Sequence, residues 1–520
     1  MARAGNSAFA HMFKMPKLWS FPLRMAGALF GALVCMAASA MAGDQDTYQK
    51  ALDSVGGRAA LEAVLRVEAR LSGINYEPME NVVVETPIHT SDDKLRILWE
   101  PGSNRFRRET VLETIFPFKG SWTYQEVFNG SAGILTGRDG FRPSAEKQLA
   151  AARIGADLKE FWLFNPQFLL AHARPVEGAS SQGSSAAEIT LSLPDRPTSW
   201  RVRLDRERML PVRLSVTEQD PVFGPVEVTA TFSDWRELDG IMTPFRVVKR
   251  VDGALVRQEI REAVFYHKTG ESDAFKLPDE PAAEALDASL TSWGWDMAHW
   301  FLRRAAMAAP ADADQSHPVE FLEVAEGVFQ VLGSSHHNLV IVGSDSLVLV
   351  DAPLYDRRSR AVLAALAKRW PDKPVRDLVL THHHNDHIGG LQPYVAAGAR
   401  LVVPGRDHGF FDALVRRTLG IEAEILPVSV PMTLRDFSKE VSLHLVPNSH
   451  ANDMLAVYLP EDGLMFVSDL FSPGRSAQNP LLASELLNAI RFQGLAVSRL
   501  VGGHGRGVEP LSALEAAARR

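Results

Sequence analysis

Residues 381–390 read Thr-His-His-His-Asn-Asp-His-Ile-Gly-Gly, and no other stretch limits so sharply what this chain can become. Four potential metal ligands, His382, His384, Asp386 and His387, fall within six residues. They follow an apolar, β-branched run over 375–380 that reads as a buried strand. Gly389 and Gly390 permit a tight turn into a helical segment over 391–397. The loop thus lies at the C-terminal end of a strand, where α/β proteins place their chemistry. In an extended backbone His382 and His384 point to one side, whereas His383 alternates away and is read as structural. Neutral imidazole and carboxylate suit zinc, with iron and manganese as competitors.

Three further strand-like segments each end in a ligand type. Residues 441–446 run into Pro-Asn-Ser-His450, residues 464–467 into Ser-Asp469, and Leu500-Val501 into Gly-Gly-His504. His444 lies inside a strand and is expected to pack.

In this order, His382, His384, Asp386, His387, His450, Asp469 and His504, the chain resembles the metallo-β-lactamase superfamily from about residue 318 onward. The resemblance implies an αββα sandwich with a two-metal site at one edge. It also implies that His382, His384 and His450 hold one ion, that Asp386, His387 and His504 hold the other, and that Asp469 bridges them. Two divalent cations about 3.5–4 Å apart acidify a shared water and polarise the scissile group. Asp386 is the catalytic candidate, orienting that hydroxide. The reaction implied is hydrolysis of an ester, lactone, amide or thioester.

Three departures narrow the branch. His384 stands where oxygen-reducing diiron relatives carry glutamate. Asp469 stands where the best-known β-lactamases carry cysteine. Only 16 residues follow His504, too few for the helical extension of glyoxalase-type thioesterases.

Asp351 ends the strand over 347–350 and is expected to support the ligands from behind. His336 and His337, in the loop between strands over 328–332 and 338–342, are candidates to touch substrate. Arg506 is either an anion contact or a surface salt bridge.

The beginning of the chain concerns location. Residues 1–24 carry Arg3, Lys14, Lys17 and Arg24 and no acid, and residues 25–42 are apolar with small residues at Ala40 and Ala42. This reads as a signal peptide over 1–42 and predicts export to the periplasm; an uncleaved inner-membrane anchor is the alternative, and the only membrane association expected. Cys35, the single cysteine, lies within it. Cleavage would leave no thiol chemistry and no disulfide. Loss of the four leader bases takes the formal charge from −8 to −12, which argues against a nucleic-acid partner.

Residues 43–268 form a separate unit. Helical text over 47–65, broken at Gly56-Gly57, precedes a series of hairpins: 200–204 with 210–216, 226–235 turned at Asp239-Gly240, and 245–251 with 255–266 across Asp252-Gly253. A large curved antiparallel sheet, or half-barrel with helices, is expected. It weakly resembles the lipoprotein-carrier fold, which implies a pocket for an apolar ligand; a scaffold is the competing reading. Residues 269–317 read as a linker with one helix, over 282–307, docked on one domain.

The expectation is therefore an α+β two-domain protein, an exported hydrolase with two divalent ions, most simply zinc, acting on a small, possibly apolar substrate. A lipid carrier with a structural metal domain and a mononuclear iron oxygenase are the alternatives. Sequence leaves the oligomeric state open.

Overall fold

The computed structural model describes residues 45–519, apart from 85, 118, 140–146, 177–186, 271–272, 278–287, 309–317 and 435–438. The leader and Cys35 lie outside the described residues. Among the described residues no helix is long and apolar enough to cross a membrane.

The N-terminal domain is one 13-stranded sheet, antiparallel throughout. Its first long strand, Arg66–Glu77, pairs with Ile88–Glu100 on one side and with the last, Ala254–His267, on the other. The remaining strands spread outward from that centre as two meanders, so the outermost strands stay unpaired with each other and the sheet is open. Alternation places apolar side chains on one face, as in Ser199–Leu204, where Trp200, Val202 and Leu204 are buried. That face wraps the helices Ala151–Phe164 and Pro166–His172, and Trp99 packs against Phe161, Trp162 and Phe168. The strand pairs over 200–216, 226–251 and 245–266 form as antiparallel hairpins, with register shifts in the first and last.

The cavity inside this sheet differs from the apolar pocket implied by the carrier-like resemblance. Leu71, Leu95 and Trp99 line it, but so do the ion pairs Arg257–Asp93, Lys249–Glu160 and Arg261–Glu259. Its wall is apolar in part and charged in part.

The C-terminal domain stacks two sheets. One has seven strands, from Glu320–Ala325 to Ile425–Val428, and turns from antiparallel to parallel at Leu347–Val350. The other has six strands, from Met432–Leu434 to Val508–Pro510. Val348, Val350, Val379 and Val402 of the first sheet meet Leu443, Leu455, Val457 and Phe466 of the second. The helices Asp356–Arg369, Leu391–Ala396 and His408–Leu419 cover the first sheet, and Pro480–Phe492 and Leu511–Ala517 cover the second, giving αββα order.

The segment read as a one-helix linker is two helices, Ala288–Asp296 and Ala298–Ala306, and it docks on both domains. Ala288–Asp296 lies backbone to backbone on Ala151–Phe164, because a Cβ on Gly294 would stand 1.7 Å from the Ala152 carbonyl oxygen. The break at Met297 frees Ala298–Ala306 to run between the domains. There Trp300 and Phe301 pack with Leu354 and Tyr355 of the C-terminal domain. His299, fully buried, faces Glu218 and Asp220 of the N-terminal domain at 2.9 and 3.0 Å. The amphipathic stripe was visible in the sequence; its two-sided use required both partners to be in place.

Candidate metal centre

Four strand ends deliver the ligands. Val375–Val379 leads to His382 and His384, Val441–Val446 to His450, Leu464–Phe466 to Asp469, and Arg499–Val501 to His504. A four-residue helical turn, Asn385–Ile388, carries Asp386 and His387. All seven side chains come together. One group joins His382, His384 and His450, another His336, Asp386, His387 and His504, and a third His382, His387 and Asp469, with ligand atoms in each group within 4.8 Å of one another.

The donor atoms are the telling detail. Nε2 of His382, Nδ1 of His384, Nε2 of His450, Oδ1 of Asp386, Nε2 of His387 and Oδ1 of Asp469 are buried without a hydrogen-bond partner. Buried polar atoms are normally satisfied, so this many orphans pointing together calls for a cation. His387 Nε2 and Asp469 Oδ1 stand 2.8 Å apart without hydrogen-bond alignment, and Asp469 lies 3.3 Å from His450 Nε2 and 3.2 Å from His504 Nε2. The spacings to His450 and His504 are near those of neighbouring ligands on a shared ion. The residues fit divalent metal, with Asp469 placed between the two histidine sets.

The remaining ring nitrogens are held from behind. Nδ1 of His387 donates to Oδ2 of Asp351 at 3.0 Å. Thr381 Oγ1 donates to Ser468 Oγ, which donates to Asp351, leaving Thr381 free to accept from Nδ1 of His382 at 2.9 Å. One carboxylate therefore steadies ligands from both sets. His384 donates from Nε2 to the carbonyl oxygen of Asn81 at 3.0 Å, and His504 Nδ1 lies 3.2 Å from the Ser335 carbonyl. These bonds fix tautomers and leave the opposite nitrogen as a lone-pair donor.

Electrostatics follow from crowding. Burial, reinforced by neighbouring imidazoles, pushes His382 and His384 well below the usual histidine range and so keeps them in the neutral, ligating form. Burial also opposes charge on His387, but the Asp469 and Asp386 carboxylates outweigh it and hold His387 well above that range. Asp386 is held well below the carboxylate range: Arg304, His387 and His336 overcome its burial. Glu80 moves the other way, raised by burial and by the Asp386 charge.

Of the other sequence candidates, His336 is buried. Its Nε2 lies 2.9 Å from Asp386 Oδ2 and its ring centroid 4.2 Å from that of His504, so it belongs to the cluster itself. His337 is apart from the ligands and lines a surface groove with Gly333, Pro473, Arg475 and Gly505, and burial lowers it to about 3. His383 contacts Asp407 and the Asn81 carbonyl, and His444 contacts Ser442 and Gln493. Arg506 forms an exposed ion pair with Glu320.

Sequence reasoning missed what the rest of the chain contributes. Residues 78–84, which follow the N-terminal strand Arg66–Glu77, reach across to the site. Met79 is buried in the apolar cluster of the C-terminal domain, and the Asn452 amide donates to the Val82 carbonyl at 2.8 Å. Glu80 Oε2 comes within 3.6 Å of His384 Nδ1. From the interdomain helix, Arg304 reaches Glu80 Oε1 at 3.1 Å and Asp386 Oδ2 at 3.2 Å. No local pattern marks these residues.

The family model described as the metallo-beta-lactamase superfamily matches residues 333–504, which span the cluster from before His336 to His504. The C-terminal domain is a metallo-beta-lactamase superfamily domain. Curated relatives match the chain over limited stretches. A linear primary-alkylsulfatase of a Pseudomonas species is 29% identical over 150 residues, 26% of this chain and 22% of the relative. The alkyl/aryl-sulfatase BDS1 of Saccharomyces cerevisiae is 32% identical over 74 residues, 14% of this chain and 12% of the relative. The chain thus spans less than a quarter of the length of these sulfatases. A solved metallo-beta-lactamase from Pontibacter korlensis is 18% identical, covers 39% of this chain and 98% of its own, and superposes with a TM-score of 0.32.

Proposed function

We propose that the chain is a metal-dependent hydrolase of an ester-type bond, carried out in its metallo-beta-lactamase domain. The convergence of unpartnered, buried donor atoms on one point carries this reading. When bound, two divalent ions would supply hydroxide near neutral pH and polarise the scissile group. The chain's own residues do the rest. Asp386 orients the attacking water, and Asp351 and Asn81 keep the ligand imidazoles in register. His450, Asp469 and His504 form the less buried side, from which substrate approaches, and the groove containing His337 and Arg475 adjoins it. Esters, lactones, amides and thioesters fit this chemistry, and the relatives named as alkylsulfatases add sulfate esters of apolar alcohols.

Zinc is the proposed ion, on the strength of an imidazole and carboxylate donor set with no cysteine. Export to the periplasm is proposed on the leader alone, and fractionation of expressing cells tests it. The activity is tested by giving zinc-loaded protein a panel of alkyl sulfates, esters, lactones, thioesters and β-lactams, with metal content measured in parallel. Turnover abolished by His384→Ala supports the proposal. No turnover by fully loaded protein, or turnover unchanged in that variant, refutes it and favours a carrier with a structural metal domain.

A further inference from the structure

The segment over 78–84 is anchored too firmly for a passing contact. Met79 is buried among the apolar side chains of the other domain, Val82 accepts from Asn452, and the Asn81 carbonyl accepts from both His383 and His384. Between these anchors sits Glu80, 5% exposed. Its two oxygens have different surroundings. Oε1 faces the Arg304 guanidinium at 3.1 Å, whereas Oε2 faces Nδ1 of His384 at 3.6 Å, too far for a hydrogen bond.

His384 already donates from Nε2 to Asn81, so in the neutral ring Nδ1 carries a lone pair. That lone pair is fully buried, has no hydrogen-bond partner and looks at a carboxylate oxygen. Two acceptors facing each other need a cation between them, a proton or a metal ion. Ligands on a tetrahedral zinc ion, with bonds near 2.1 Å, stand about 3.4 Å apart. Glu80 and His384 sit close to that spacing, and the ligand atoms of Glu80, His384 and Asp386 lie within 4.8 Å of one another.

We infer that Glu80 is a further carboxylate ligand of the metal centre, delivered by the N-terminal domain. This assignment rests on the two-ion reading above. It gives the N-terminal domain a direct part in the site: its loop closes the His384 side, fixes the tautomer of that ligand and adds a negative charge that an incoming divalent ion neutralises. Arg304 holds Glu80 and Asp386 in place when the ion is absent.

The test uses the full mature chain and Glu80→Gln, which keeps the shape and an acceptor oxygen for Arg304. Zinc affinity is read by competition with a chelator, stoichiometry by elemental analysis, and coordination by the visible absorption of the cobalt(II)-loaded protein. Glu80→Gln is expected to melt like wild type in excess chelator, to bind zinc at least ten-fold more weakly, and to show an altered cobalt spectrum. Glu80→Asp, which keeps the charge on a shorter stem, is expected to fall between the two and serves if the glutamine variant does not fold. Wild-type affinity together with an unchanged cobalt spectrum in the variants overturns the assignment while leaving the two-ion reading intact. A wild-type chain that takes up neither zinc nor cobalt overturns both.

Discussion

Oδ2 of Asp351 accepts a hydrogen bond from Nδ1 of His387 at 3.0 Å, and the same carboxylate receives Ser468 and, through it, the hydroxyl that steadies His382. Asp351 holds a left-handed backbone, with φ of 61°, at the end of Leu347–Val350. Asparagine tolerates that conformation, so Asp351→Asn tests the carboxylate apart from the backbone. It is expected to weaken metal binding by about 10–100-fold with little change in folding, read by chelator competition and circular dichroism.

Arg304 is buried between two carboxylates. Arg304→Met removes the guanidinium that Glu80 and Asp386 share and leaves only His336 and His387 beside Asp386, an imbalance expected to cost about 3–5 kcal/mol in metal-free protein. Zinc should restore much of the loss. Thermal melts with and without chelator check this: the variant's gain on zinc addition should exceed that of wild type.

Gly294 and Gly155 let two helices touch along their backbones, each added Cβ landing within 2.3 Å of a carbonyl oxygen. Gly294→Ala is expected to destabilise by about 1–3 kcal/mol through forced separation of the helices. Gly102, with nothing within 4 Å of an added Cβ, is the control, and its alanine variant should stay within about 0.5 kcal/mol in a denaturant melt.

Acid should loosen the domain junction. Burial works against charge on Glu218 and Asp220, yet Lys159, Arg303 and His299 prevail and hold both at about 2. Each therefore binds fewer protons folded than unfolded near pH 3. Their stabilisation is present above the ordinary carboxylate range of about pH 4 and is lost as pH falls from there towards 2. Denaturant melts between pH 6 and 2.5 should show the decline, and Asp220→Asn should remove part of it.

The clustering of the candidate ligands was legible because each is punctuated locally: a short apolar strand, then a candidate ligand at its end, as at Phe466 before Asp469. Period-two alternation likewise exposed the N-terminal sheet, as in Ser199–Leu204. His336 was read as a candidate to touch substrate, and its place beside Asp386 and His504 shows only once those residues close around the loop. Glu80 and Arg304 carried no signal. Their environment is assembled from positions far from the ligands in sequence, and an isolated glutamate or arginine in sequence reads as surface charge. The helix over 282–307 was read as one piece because a hydrophobic stripe gives a period, not the number of bodies it must satisfy.

The central strand Arg66–Glu77 pairs with Ala254–His267, so the first and last long strands of the open sheet lie side by side. A ribosome releases the first long before the last. The loop that bears Glu80 emerges directly after that first strand and has to wait for its neighbour, then for the interdomain helix, and finally for His504. A growing chain therefore cannot complete the His/Asp cluster until His504 has been made, long after the loop that bears Glu80.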